Sequence, residues 1–136
     1  MFLSDDRQWP APATNPENEA FFAAAAQGRL LIGQCRDCAK RHYYPRRCCP
    51  HCFSAEVDWV DASGRGRIYS YTMSGAASDR QILAFIQLEE GVRMLSNIVD
   101  AAPAELAVGG AVRVAFARAG SVKVPVFVLD AAGARA

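Results

Sequence analysis

The residues with the plainest chemistry are the five cysteines, all within the eighteen-residue stretch CRDCAKRHYYPRRCCPHC at positions 35–52. Cys35 and Cys38 form one pair with two residues between them; Cys49 and Cys52 form another, around Pro50 and His51. A Cys-x-x-Cys turn aims two thiolates at one point. Two such turns facing each other supply four sulfurs in a tetrahedron, which suits a d¹⁰ zinc ion. Four thiolates also suit iron, which is the lesser expectation. A redox dithiol, a disulfide or inert buried thiols would need none of this double spacing, so a metal is expected, with Cys35, Cys38, Cys49 and Cys52 as its ligands. A closed four-sulfur shell leaves no position for water, so the metal would be structural. Cys48 is out of step: Cys49 is the residue that completes the gap to Cys52, leaving Cys48 as a spectator thiol or a substitute ligand.

Two details of this stretch depart from the simplest design. The position after the second cysteine of a knuckle favours glycine, because the backbone there turns to positive φ. Here those positions hold Ala39 and Phe53, which predicts strain. The stretch also carries Arg36, Lys40, Arg41, Arg46 and Arg47 against Asp37, a local charge of +4 that leaves −3 on the rest of a chain whose net charge is +1. Four thiolates around a divalent ion sum to −2, so the arginines either neutralise the site or bind an anion. His42 and His51 are not needed as ligands once four cysteines are in place, and read as residues beside the site or on the surface. Tyr43 and Tyr44 lie between the knuckles, where aromatics either shield the metal from water or stack on a ligand; shielding is the expectation.

These residues need a scaffold. At 136 residues, 51% hydrophobic and 21% charged, the chain is long and apolar enough to bury a core. A net charge of +1 argues against a dedicated nucleic-acid binder. Reduced cysteines at metal spacing point to the cytoplasm. The N-terminal residues lack the pattern of a signal peptide, and no run reaches the ~18 apolar residues that span a bilayer.

Residues 1–14, with Pro10 and Pro12, read as an extended arm in which Trp9 anchors either the body or a partner. Asn15-Pro16 reads as a helix start, with Glu17 and Glu19 at the positive end of the dipole and Gly28 as the stop. So short a helix must dock, on its own domain or on a partner. Residues 29–34 read as a strand feeding the first knuckle. Then come β-rich runs at 57–60, 67–73, 82–88, 94–99, 112–116 and 124–129, punctuated by Gly and Pro, as in a small antiparallel barrel of about five strands. Glu89-Glu90-Gly91 reads as a hairpin turn, and residues 100–108 as the place for one helical turn. The run 82–88 is nearly all apolar, which predicts a strand buried on both faces. The expected division is an arm and helix at 1–28, a zinc ribbon at 29–55 and a barrel at 56–136.

In this order, the words Gly28-Arg29-Leu30, Cys35-Arg36-Asp37-Cys38, Pro45-Arg46, Cys49-Pro50-His51-Cys52, GRGRIYSYT at 64–72, LEEGVR at 88–93, SNIVD at 96–100 and Pro125-Val126-Phe127 resemble the DUF35 family. The resemblance runs from Phe21 to Phe127. Departures are the two absent knuckle glycines and a short segment from Gly75 to Gln81, where relatives often carry a longer loop. The resemblance implies a mainly β fold: an N-terminal helix, a rubredoxin-like zinc ribbon, then a five-stranded OB-fold barrel. It also implies a non-catalytic accessory subunit that binds acyl-CoA, a thiolase-like partner, or both, in a hetero-oligomer. The partner would be a thiolase, a thiolase-related aldolase of steroid side-chain breakdown or an acyltransferase, placing the chain in lipid or steroid metabolism.

That agrees with the residues, which show no Ser/His/Asp or Cys/His nucleophile arrangement outside the ribbon and no catalytic acid/base pair. For CoA phosphates the candidate contacts are Arg46, Arg47, Arg65 and Arg67. The competing reading is a single-stranded nucleic-acid module, with Tyr43, Tyr44, Tyr69 and Tyr71 stacking bases. A stand-alone thioesterase or redox enzyme is the third, and metal-ligated thiols disfavour it.

Overall fold

The helix expected to start at Asn15-Pro16 starts later. The Asn15 side-chain oxygen accepts hydrogen bonds from the amides of Glu17 and Asn18 at 2.9 and 3.0 Å and so closes a turn through residues 16–18, and α1 (Glu19–Ala25) follows with Asn18 as its N-cap. Gly28 ends it at φ +77°, with the Arg29 amide donating back to the Ala24 carbonyl at 3.0 Å. The computed structural model describes residues 9–76 and 79–130.

Three strands form the smaller sheet: β1 (Leu30–Cys35), β2 (Arg41–His42) and β3 (Val57–Ala62), in the order β2-β1-β3, all antiparallel. β3 runs the whole length of β1, from Leu30 opposite Ala62 to Cys35 opposite Val57. It therefore completes the sheet that carries the first knuckle, and then leads into the second sheet through Gly64. That glycine sits at φ +82°, and a Cβ there would meet Val114 Cγ1 at 2.4 Å.

The second sheet contains β4 (Arg65–Ser74), β5 (Gln81–Leu88), β6 (Arg93–Asn97), β7 (Ala111–Ala119) and β8 (Val122–Leu129), in the antiparallel order β6-β5-β4-β7-β8. Glu89-Glu90-Gly91 joins β5 to β6, and the helical turn expected in residues 100–108 is a 3₁₀ turn at Pro103–Glu105. The two ends of the sheet meet. Ile98 bridges Phe127, and the Val99 amide donates to the Phe127 carbonyl at 2.9 Å. The result is a near-closed five-stranded barrel of OB type. Pro125 sits on β8, an edge of the ladder, where a missing N–H is tolerated.

The two sheets share one core. Phe21 and Phe22 of α1, Leu30 and Ile32 of β1, and Ile68, Ile86, Met94, Val112 and Phe127 of the barrel form one buried cluster. The helix lies against both β1 and β8, so it docks on its own chain. Trp9 anchors the arm to the body, in a second cluster with Val99, Ala115, Ala117, Val126 and Val128.

The expectation for β5 is overturned. β5 is not buried on both faces. Ile82, Ala84, Ile86 and Leu88 face the core, while Leu83 and Phe85 face outward. Apolar residues at both parities hid an ordinary one-sided strand. Residues 77 and 78, within the short segment between β4 and β5, lie outside the described residues. Among the described residues no helix is long and apolar enough to cross a membrane.

Candidate metal centre

β1 delivers Cys35 to the first knuckle, and the return into β2 carries Cys38. The second knuckle holds Cys49 and Cys52 in the loop before β3. The turns are built alike: the Ala39 amide donates to the Cys35 carbonyl at 3.0 Å, and the Phe53 amide to the Cys49 carbonyl at 2.9 Å. All four sulfurs lie within 4.8 Å of one another. Cys35 Sγ is 3.6 Å from Cys52 Sγ, and Cys38 Sγ is 3.7 Å from Cys49 Sγ. A tetrahedral ion with sulfur ligands at about 2.3 Å has sulfur–sulfur edges of about 3.8 Å. The sulfurs are too far apart for disulfides and correctly spaced for a shared ion. Among the described residues this is the one such grouping of His, Cys, Asp or Glu side chains.

Backbone amides favour the thiolate at Cys35 and Cys49. The amides of Asp37 and Cys38 donate to Cys35 Sγ at 3.3 and 3.5 Å, and that of His51 to Cys49 Sγ at 3.3 Å. The Cys38 amide holds the Cys35 thiol below the usual thiol range, against the opposing effect of burial. At Cys49 burial pushes the thiol up, but the amides of Cys52 and His51 outweigh it and bring it to about 6. Cys52 is held up to about 12: the Ser54 amide lowers it, while desolvation and the crowding of three other thiols raise it more. Cys49 and Cys52 are thus held in opposite directions, and a divalent cation, which favours the thiolate form of its ligands, removes that conflict.

The strain foreseen at the knuckles is present. Ala39 adopts φ +63° and Phe53 φ +66°, a region that disfavours side chains carrying a Cβ. Ala39→Gly and Phe53→Gly are each expected to stabilise the metal-loaded protein by about 1 kcal/mol, read from thermal denaturation. Phe53 is 81% exposed, so its removal loses little packing.

His42 is buried on β2, and neither ring nitrogen has a hydrogen-bond partner among the described residues. Its ring rests on the backbone of Gly33, where a Cβ would come within 2.3 Å of Nε2. Burial, then the charges of His51 and Arg46, hold its pKa below the ordinary value of 6.5. The unfolded chain therefore binds a proton that the folded chain refuses. Stability is expected to fall as pH drops through and below about 6.5. Urea denaturation across that range should show a smaller loss in His42→Phe than in the natural chain. His51 is exposed, with Nε2 3.3 Å from the Arg41 carbonyl.

The two tyrosines between the knuckles stand edge-on to each other at 5.3 Å and pack against Phe21 of α1. Phe21 lies 5.9 Å from each, and Asn18 Nδ2 donates to the Tyr44 hydroxyl at 3.3 Å. By these contacts the tyrosines form a joint between ribbon and helix.

The arginines separate into groups. Arg36 pairs with Glu56, just before β3, and with Asp58 within it, so its charge is answered within the chain. Arg46 and Arg47 are exposed on the ribbon loop, where the Arg47 amide donates to Glu17 Oε2 at 3.2 Å. Arg65 and Arg67 project from β4 into a groove of about 680 Å³ and are joined there by Arg113 of β7, the register partner of Arg65. Glu89 and Asp130 line the same groove. Arg113 was invisible to sequence reasoning because it meets Arg65 only through the pairing of β4 with β7.

Residues 22–58 match the family described as the ChsH2 rubredoxin-like zinc ribbon domain, and residues 59–117 that described as the ChsH2 C-terminal OB-fold domain. The chain is 38% identical over 105 residues to a probable enoyl-CoA hydratase alpha subunit of Thermomonospora curvata, a match that takes in 74% of this chain and 33% of that protein. It is 33% identical over 96 residues to a DUF35 domain-containing scaffold protein of Methanocaldococcus jannaschii, covering 65% of this chain and 68% of the other. Among solved structures, it superposes on a chain of the Ltp2-ChsH2(DUF35) aldolase with a TM-score of 0.75 and 35% identity, over 87% of this chain and 98% of that one. The chain therefore spans about a third of the hydratase relative and nearly all of the aldolase chain.

Proposed function

The chain belongs to the DUF35/ChsH2 family, and from that premise we propose that it is a non-catalytic accessory subunit of a cytoplasmic acyl-CoA-processing enzyme. In this reading it joins a thiolase-like or hydratase-type subunit in a hetero-oligomer and supports that subunit's activity. The observation that carries it is the match to the aldolase chain at 35% identity over 98% of that chain's length.

Cys35, Cys38, Cys49 and Cys52 would hold one zinc ion, consistent with their sulfur spacing. Bound there, zinc supplies structure and no open coordination position. The amides around Cys35 and Cys49 keep their sulfurs ready for the ion, and the shared core passes the ribbon's order on to the barrel. Acyl-CoA enters the reading through Arg65 and Arg67, whose groove gathers a third guanidinium from Arg113, with Arg46 and Arg47 as separate contacts on the ribbon.

Affinity purification of the full chain from its native cell tests the partner. A thiolase-fold or hydratase-type subunit is expected in fixed stoichiometry, and recovery of the chain alone contradicts the proposal. Calorimetric titration of that complex with CoA tests the groove. Arg65→Ala and Arg113→Ala are each expected to weaken CoA binding by roughly tenfold, the loss of one charge-assisted contact. Unchanged affinity in both variants removes the groove from the proposal.

A further inference from the structure

Part of the barrel's outer surface is covered and part is bare. On β7 and β8, Trp9 of the arm packs against Ala115, Ala117, Val126 and Val128. No comparable cover lies over β4, β5 and β6 among the described residues. There, Phe85 sits opposite Leu95 on one side and Ser70 on the other, and Leu83 sits opposite Asn97 and Thr72. Leu83, Phe85 and Leu95 are 36%, 46% and 52% exposed, and Tyr69 beside them is 49% exposed. A contiguous apolar patch of this kind on a sheet face marks a contact surface.

The border of the patch identifies what fits it. Gln87 is the register partner of both Arg67 and Arg93. Arg93 lies over the Tyr69 ring at 4.0 Å and donates from Nε to Gln87 at 2.8 Å. The remaining outward positions on these strands hold Ser, Thr, Gln, Asn and Arg, and none is acidic. A second copy of this chain laid on the face would oppose arginine with arginine. An apolar surface bordered by Asp and Glu would complement it. At the β6 edge, Leu95 also lines a hollow of about 250 Å³ with Trp9, Pro12, Tyr43, Tyr44 and Pro125, space for one anchoring side chain from outside.

We infer that the outer face of β4, β5 and β6, centred on Phe85 and Leu95 and bordered by Arg67 and Arg93, is the surface on which the acyl-CoA enzyme subunit docks, through an apolar patch rimmed by carboxylates. This rests on the accessory-subunit reading above.

The test places p-benzoylphenylalanine at position 85 of the full chain in its native cell, with position 123 on β8 as control, and illuminates. The expected product joins position 85, and not position 123, to the same enzyme subunit that co-purifies with the natural chain, at a peptide containing Asp or Glu. Phe85→Glu and Arg93→Glu are each expected to lower recovery of that subunit by roughly tenfold or more while leaving the melting temperature near that of the natural chain. A cross-link from position 85 to a second copy, to the chain's own residues, or to nothing overturns the inference, as does full recovery of the enzyme by both variants. If the natural chain itself recovers no such subunit, the accessory reading falls. If it does and position 85 stays silent, only the docking face falls.

Discussion

Cys49→Ser is expected to abolish the cooperative thermal transition of the protein, while Cys48→Ser leaves it unchanged. The two cysteines are neighbours, yet Cys49 is fully buried in the sulfur cluster and Cys48 is exposed outside it. Structural zinc contributes about 10–16 kcal/mol in zinc-finger peptides, comparable to the whole stability of a domain this size. The ribbon has little to replace it. β2 is two residues long, and among the described residues from Cys35 to Ser54 the buried side chains are Cys35, His42, Pro45 and Cys49. The loss would also spread, because β1 carries Cys35 at its end and Leu30 and Ile32 in the common core. Circular dichroism melts of both variants, purified with zinc, check this. An ordinary surface substitution changes stability by no more than about 0.5 kcal/mol, the size expected for Cys48.

Phe21→Ala should have the next largest effect, a loss of about 3–5 kcal/mol and a fall in melting temperature of roughly 10–20 °C. Phe21 is 1% exposed, stands edge-on to Phe22 at 5.1 Å and touches both tyrosines of the ribbon. Removing it opens a cavity where helix, ribbon and barrel meet. The exposed Tyr69, truncated to Ala, should cost far less, because it fills no interior space. Equal losses from the two truncations would mean that α1 is not the joint between the sheets.

Much of this architecture could be read from residue order because its determinants are local. Cysteine spacing sets the knuckles, Gly28 ends the helix that follows the Asn15 turn, and each β-rich run falls on a strand whose ends lie within three residues of those expected. What escaped the sequence is what depends on pairing. Val57–Ala62 reads as one more barrel strand until its register with β1 places it in the ribbon's sheet. β5 reads as doubly buried because Leu83 and Phe85 are as apolar as Ile82 and Ile86; which parity faces the core is decided by β4 and β6. Arg65 and Arg67 were visible as neighbours, but Arg113 is 46 positions beyond Arg67 and reaches their groove only across the β4–β7 ladder. Tyr43 and Tyr44 lie near the cysteines in sequence, yet it is the docking of α1 that sets where their rings pack.

A thiol count on the gently purified native protein tests the central claim most directly. The chain has five cysteines, and the account assigns four of them to one zinc ion. One zinc per chain is predicted by elemental analysis, with a single thiol, that of Cys48, reacting quickly with a thiol reagent. The other four should react only once a strong chelator has removed the metal and the circular dichroism of the fold has collapsed. Five rapidly reacting thiols on a folded, metal-free protein would contradict the account.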